Sequence, residues 1–421
     1  MPAARLPHTP RRDGLVRVLG ATLIDGTLAE PVPDAEVEYR DGRISYAGPR
    51  RAVADGDATV IDAAGGYVMP GFIDAHVHLS MSHDATEEEQ RRWFPEERAF
   101  ATASTMRQTL HAGVTTARDL SGLAPGYRNA VAAGRIDGPR MHLAIALLSP
   151  TGGHADPLLP NGTVPLWAER ATTPGWAVVD TDDEVVKAVR ALARTGADVI
   201  KVCTTGGMST PHDSPEEPGI PEEHVRLIVT EMNKRQGQPV TAHAQSDAGV
   251  RAAVLGGAAS VEHGYELSDD TIELMRARGT VLVPTLSTLL RIRDPLTQSI
   301  DARSAREFVQ QTALDAIGRA VAAGVTVALG TDAGIHPQGH NLTELGHLVG
   351  VGLSPLEAIH AGTLAGARML RLAEHLGSVE AGKLADLVIT EIDPLADPTA
   401  LGDPQAVRLV IQSGRIVKDL R

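Results

Sequence analysis

The sequence is short of cysteine, aromatics, positive charge and long apolar runs, and each shortage removes a class of function. Cys203 is the sole cysteine in 421 residues, so no internal disulfide can form. That fits a reducing compartment, with the cytoplasm as the expected location. Four Phe, five Tyr and three Trp are too few for a base-stacking platform. The 39 Lys and Arg are outnumbered by 53 Asp and Glu, leaving a net charge of −14. Nucleic acid and anionic membrane both need clustered cations, so neither is an expected partner. No apolar run reaches the roughly 18 residues that would span a bilayer. Met1 to Gly14, rich in Pro and Arg, lacks the apolar stretch of a signal peptide. What is abundant is histidine, with 16 residues, in a chain whose 43% hydrophobic content supplies a core of ordinary size. A small-molecule substrate is the expected partner. The oligomeric state is open, and a homo-oligomer is compatible with the composition.

Three segments separate by pattern. Residues 15–70 read as short strands at Leu15–Ile24, Ala35–Tyr39 and Arg43–Ala47, with Asp41-Gly42 as a hairpin signal. The C-terminal stretch reads alike, with strands at Asp386–Ile389, Val407–Ile411 and Arg415–Lys418 around a Ser413-Gly414 turn. Residues 1–70 and 376–421 are therefore expected to form one small composite β-sandwich domain. Residues 71–375 alternate apolar strands with amphipathic helices. Strands are expected at Phe72–His78, Val114–Arg118, Met141–Leu148, Val199–Val202, Val240–His243, Ser260–His263, Val281–Thr285 and Val325–Thr331. Capping boxes at Thr181-x-x-Glu184 and Ser354-Pro355-x-Glu357 open two of the helices. The class is α/β, a (β/α)8 TIM-like barrel.

The chemistry-bearing residues gather at one place in that pattern. His76 and His78 end the first strand two positions apart, so both imidazoles project to the same face. Lys201, His243, His263 and Asp332 each fall at the C-terminal end of a later strand, the rim where barrel enzymes carry their sites. Taken singly, each has an ordinary explanation. A strand His is more often a packed core residue, a Lys can snorkel, and an Asp before Ala-Gly can serve a turn. Six such residues on one rim instead describe a site for a borderline metal such as Zn²⁺.

Those residues lie in motifs that resemble the amidohydrolase superfamily over nearly the whole chain. The pieces are Met69-Pro70-Gly71-Phe72-Ile73-Asp74-Ala75-His76-Val77-His78, the strand-end Lys and His residues, Gly330-Thr331-Asp332-Ala333-Gly334, and Gly377 to Leu387. Gly113-Val114-Thr115-Thr116-Ala117-Arg118-Asp119, Thr151-Gly152-Gly153-His154 and Val261-Glu262-His263-Gly264 narrow this further. They resemble the branch of prolidase-like Xaa-Arg/Lys dipeptidases, N-acyl amino acid amidases and ochratoxin-hydrolysing amidohydrolases.

The resemblance implies two divalent metal ions, Zn²⁺ being the expected identity. His76, His78 and Asp332 would hold one ion, and His243 and His263 the other. Lys201, converted by CO2 to a carbamate, would bridge them. A water between the ions would lose a proton near neutral pH and attack the amide, with Asp332 as general acid/base. His154, in its Gly-Gly loop, would polarise the scissile carbonyl. His83, Tyr265, His336, His340 and Asn341 are candidates for lining the substrate pocket. No Gly-x-Ser-x-Gly elbow, phosphate loop or dinucleotide fingerprint occurs. Ser246 stands where the superfamily's ring deaminases carry a Glu, which disfavours deamination. The expected reaction is cleavage of an amide bond between an acyl group and an amino acid. Cyclic-amide hydrolysis is the alternative, and a non-catalytic barrel scaffold is a third, less favoured because all six ligand positions are kept.

Overall fold

In the computed structural model, residues 14–421 are described apart from 55, 160, 165–174, 209–212 and 292–299. The first residues, 1–13, on which the leader expectation bears, lie outside that set. Both chain ends meet in one eight-stranded sheet. It runs from Arg415–Asp419 through Val407–Gln412, Leu387–Thr390, Tyr67–Pro70, Val16–Leu23 and Val32–Arg40 to Arg43–Pro49, with Thr59–Asp62 paired to Val16–Leu23. The two hairpins turn where expected. Asp41 and Gly42 have φ of 52° and 77°, and Ser413 and Gly414 have 51° and 81°, left-handed pairs that match the twist of antiparallel strands. Alternate residues of these strands (Val18, Val37, Ile61, Leu387, Leu409) bury a core of their own.

The intervening chain builds two parallel sheets. Phe72–Val77, Val114–Asp119 and Arg140–Leu143 form one; Trp176–Val178, Leu147–Ser149, Ile200–Cys203, Val240–Ala244, Ser260–His263 and Val281–Val283 form the other in that order. Helices follow the strands Phe72–Val77, Val114–Asp119, Trp176–Val178, Ile200–Cys203, Val240–Ala244, Ser260–His263 and Val281–Val283. Val114, Leu143, Ile200, Val240, Val261 and Leu282 share one apolar core. This is an α/β arrangement consistent with a TIM-type barrel plus an extra domain. Both capping boxes form: Thr181 and Glu184 bond reciprocally at the start of Asp182–Thr195, and Ser354 and Glu357 do so at Pro355–His360.

Two strands depart from expectation. Met141–Leu148 is split into Arg140–Leu143 and Leu147–Ser149, because Ile145 takes a φ of 72° between them. Val325–Thr331 forms no ladder; only single bridges, Leu282 to Val327 and Val77 to Ala333, flank it. Its backbone still bonds both neighbours, through Ala328 N to Leu282 O (3.0 Å) and Ala75 N to Leu329 O (2.9 Å). The Asp74 carboxylate takes the Thr331 N–H at 3.1 Å in place of a strand carbonyl, and Asp332, at φ 59°, returns its N–H to the His76 carbonyl at 2.7 Å. The terminal sheet is fastened to the parallel strands by a buried pair. Arg140 donates to Asp386 (2.8 Å), Thr116 (2.9 Å) and Ser413 (2.9 Å).

Candidate metal centre

The site begins with strand parity. Asp74, His76 and His78 alternate onto one face of the first parallel strand, and all three are buried. The Gly-Thr-Asp-Ala-Gly turn packs directly against them. A Cβ on Gly330 would lie 3.0 Å from the His76 Cβ, and one on Gly334 would lie 2.6 Å from the His78 Cβ. Only glycine admits this approach. The turn brings the Asp332 Oδ1 to 3.1 Å from the His78 Nε2 and 3.4 Å from the His76 Nε2. Ligand atoms of His76, His78 and Asp332 all lie within 4.8 Å of one another.

His243 and His263 stand beside this group. Their rings are 4.5 Å apart between centroids, and His263 is 5.3 Å from His76. Each imidazole has one nitrogen committed. His76 Nδ1 faces Glu262 (2.8 Å), His78 Nδ1 faces Ser121 (2.9 Å), His263 Nδ1 faces Thr285 (2.7 Å), and His243 Nε2 faces the Gly206 carbonyl (3.0 Å). The Glu262 carboxylate and the Gly206 carbonyl can only accept, so they fix the tautomers of His76 and His243. The Ser121 and Thr285 hydroxyls orient the other two rings, and each ring keeps its second nitrogen for a ligand. Burial, joined by the nearby Lys201 charge, lowers the His76 pKa to about 4. Burial and neighbouring imidazoles push His243 and His263 well below the ordinary value. These rings are neutral near pH 7, as metal ligation requires. For Asp332, burial favours the neutral acid, but His76 and His78 outweigh it and hold the carboxyl below its usual range.

Lys201 lies in the same space, on the strand paired with the one carrying His243. It is 1% exposed, and among the described residues its Nζ has no hydrogen-bond partner. Burial lowers its pKa to about 8. An ammonium without a partner in such a place is costly, so this amine gives up its proton more readily than an exposed lysine does.

Beneath the imidazoles lies a polar layer that the sequence alone does not single out. Glu262, fully buried, accepts from His76 on one oxygen and from Arg118 (2.7 Å), Ser260 (3.1 Å) and Thr241 on the other. Burial raises its pKa, yet Arg118 and Lys201 override that and hold it below the usual range. A signal for it does exist: Ser260 and Glu262 alternate in one strand and Arg118 sits in another, Glu262 and Arg118 within the family-like motifs. Breaking a buried pair by removing one partner costs about 3–5 kcal/mol. Glu262→Gln leaves Arg118 as an uncompensated buried cation and is expected to destabilise the metal-free protein by that order. Urea unfolding of the variant reads it; an unchanged midpoint would show that the ion pair does not organise the interior.

The remaining candidate residues surround this group at different depths. His154 stacks on His243, with centroids 4.1 Å apart at 16°, and its Nδ1 lies 3.2 Å from Asp213. Gly207 is what admits this ring, since a Cβ there would sit 2.2 Å from it. Tyr265 is buried with its hydroxyl 3.1 Å from Thr285. His83 meets the Gly334 carbonyl (2.9 Å), His336 the Thr331 carbonyl (3.1 Å) and His340 the Gly402 carbonyl (2.9 Å). Asn341 sits deeper than a pocket-lining residue: it is 0% exposed and donates to Asp74 at 2.8 Å, so it braces the strand that carries the two histidines.

The residues present fit divalent metal: His76, His78 and Asp332 offer ligand atoms to one point, and two further imidazoles stand beside them. Although burial disfavours a charged His78, Asp332 outweighs it and raises that ring's pKa, an anion–cation contact that a metal ion would replace. Several known proteins are similar to this chain over most of its length. Ochratoxinase of Aspergillus niger is 30% identical to this chain, over 96% of this chain and 87% of its own length. Its crystal structure superposes with a TM-score of 0.84 at 29% identity, covering 96% of each chain. The crystal structure of a Xaa-Pro dipeptidase with bound methionine in the active site gives a TM-score of 0.83 at 28% identity, over 96% of this chain and 99% of that one. Imidazolonepropionase of Symbiobacterium thermophilum is 27% identical over 93% of this chain and 92% of its own. The Amidohydrolase family model matches residues 67–417, and the chain accordingly belongs to the amidohydrolase family, hydrolases that generally bind divalent metals.

Proposed function

We propose that this protein is a binuclear metal-dependent hydrolase that cleaves the amide C–N bond between an acyl group and an amino acid. Dipeptides, N-acyl amino acids and ochratoxin-like amides are the substrate class. The observation that carries the reading is the buried Lys201 amine without a partner, set among imidazoles and Asp332. Similarity to ochratoxinase and to a Xaa-Pro dipeptidase supports the amide linkage. We read residues 71–375 as a closed (β/α)8 barrel, and residues 1–70 with 376–421 as the accompanying β domain. Among the described residues no helix is long and apolar enough to cross a membrane, and the lone buried Cys203 suits the cytoplasm.

His76, His78 and Asp332 would hold one ion and His243 and His263 the other, Zn²⁺ being the identity the donors favour. Bound there, the ions supply Lewis acidity, polarising a carbonyl and acidifying a water. Lys201, as the neutral amine, adds to CO2 and sheds one proton, becoming an anion with two oxygens instead of a cation that repels metal. Asp332 turns Oδ1 toward both Nε2 atoms; its Oδ2 takes the proton of the attacking water and delivers it to the departing amine nitrogen. His154, held by Asp213 and by its stack on His243, polarises the scissile carbonyl.

The test is a screen of N-acyl amino acids and dipeptides against metal-loaded protein, read as free amino acid released. Cleavage of at least one class is expected, and none across the panel would contradict the reading. A finer prediction concerns the leaving side. A hydrogen bond to a charged group is worth roughly 1.5–3 kcal/mol. Esterifying or amidating the substrate's free carboxylate should therefore lower kcat/KM by about one to two orders of magnitude. Equal cleavage of the blocked substrate would favour the cyclic-amide alternative, which the similarity to imidazolonepropionase supports.

A further inference from the structure

We infer that Glu344 is a positioning residue that sets the second ligand pair's His263 through Thr285, and that it does so from outside the site. The inference rests on the proposed ligand role of His263. Glu344 is fully buried, at the start of the helix Thr343–Gly350. One of its oxygens accepts the Leu286 N–H (2.8 Å), and the other accepts the Ser287 N–H (2.6 Å) and hydroxyl (2.6 Å). These are the first donors of the short helix Leu286–Leu290, groups that a helix cannot satisfy internally. Holding them fixes the residue just before, Thr285, in the left-handed region at φ 51° and ψ 44°.

A β-branched residue there is strained, and the strain has a readable use. It aims the Thr285 hydroxyl at the His263 Nδ1 (2.7 Å) and the Tyr265 hydroxyl (3.1 Å). His263 itself has a φ of 74°, so its own backbone is equally dependent on its surroundings. The same short helix reaches the other half of the site: the Thr288 hydroxyl donates to the carbonyls of Thr331 (3.1 Å) and Asp332 (3.3 Å). Three residues before Glu344, Asn341 donates to Asp74, which also takes the backbone N–H groups of His76 (3.1 Å) and Thr331 (3.1 Å). One turn of chain, Asn341 to Glu344, thus braces both ligand groups with no metal ligand of its own. The Glu344 carboxylate is accounted for by three donors and is not a base for the reaction.

Glu344→Gln keeps the volume but turns an N–H₂ toward one set of these donors. Outer-sphere partners of metal ligands typically control affinity by about 10–100-fold. The variant should bind the weaker of two Zn²⁺ ions about tenfold or more less tightly, measured on metal-free protein by competition with a chromophoric chelator. In catalysis, kcat should fall while KM stays within about threefold. Thr285→Val should weaken binding similarly, and Thr285→Ser should restore it. If Glu344 acts through Thr285, the double variant Glu344→Gln/Thr285→Val should be no worse than the poorer single one, whereas independent effects would multiply. Unchanged affinity with only a lowered unfolding temperature, or multiplicative losses, would overturn the inference. Should Glu344→Gln fail to fold, the Thr285 pair decides: Thr285→Val with wild-type affinity would overturn it. If the wild-type protein binds no Zn²⁺, the reading of the site fails instead, which separates the two outcomes.

Discussion

Lys201→Ala is expected to lose at least one metal ion and, with it, activity by more than about 100-fold, beyond what an outer-sphere change costs. The reason is local. Among the groups around Lys201, Glu262 is engaged with Arg118 and His76, and Asp332 is turned to His76 and His78. Neither carboxylate is available to span two cations once Lys201 is gone. The wild-type amine is 1% exposed and, among the described residues, has no hydrogen-bond partner, so Ala also leaves a buried space. Short carboxylic acids of the size of formate or acetate should occupy that space and restore part of the metal content and the rate. Depleting CO2 during expression should lower the metal content of the wild type. Near-native metal content and rate in Lys201→Ala without added acid would rule out the carbamate bridge.

Asp332→Asn is expected to keep most of its metal and lose its rate. The amide retains an oxygen facing His76 and His78, but it cannot accept a proton. Loss of general acid–base help costs about 10² to 10⁴-fold, and kcat should fall by that order with the ions largely retained. The carboxyl is held ionised because His76 and His78 outweigh the effect of its burial. A proton-accepting form is therefore present across the neutral range. A variant within a few-fold of wild type would assign the base elsewhere.

Much of the site is legible in the sequence. The alternation of His76 and His78, the positions of His243 and His263 at their strand ends, and the two left-handed hairpin turns follow from local rules of period and turn chemistry. Lys201, expected at a strand end, sits near the start of Ile200–Cys203 opposite Thr241. Other residues do not announce themselves that way. Glu262 and Arg118 lie within expected strands, but nothing in the sequence pairs them; it takes the neighbouring strands to bring them together. Glu344 lies in an amphipathic helix where an acidic residue is commonplace; only the fold shows it reaching Leu286 and Ser287. Asn341 follows the last strand, a place that suggests pocket lining, yet its amide turns inward to Asp74. The last strand itself is less regular than its apolar run implies. The Asp74 side chain takes the Thr331 N–H, and Asp332 has a left-handed φ while its own N–H still bonds the His76 carbonyl.

The binuclear site is tested most directly by the metal content of the purified wild-type protein, measured by mass spectrometry of the elements alongside amide hydrolysis. About two divalent ions per chain are expected, with a rate that disappears when a chelator removes them and returns with added Zn²⁺. A protein that hydrolyses an N-acyl amino acid at full rate with essentially no bound metal would contradict the metal-dependent reading.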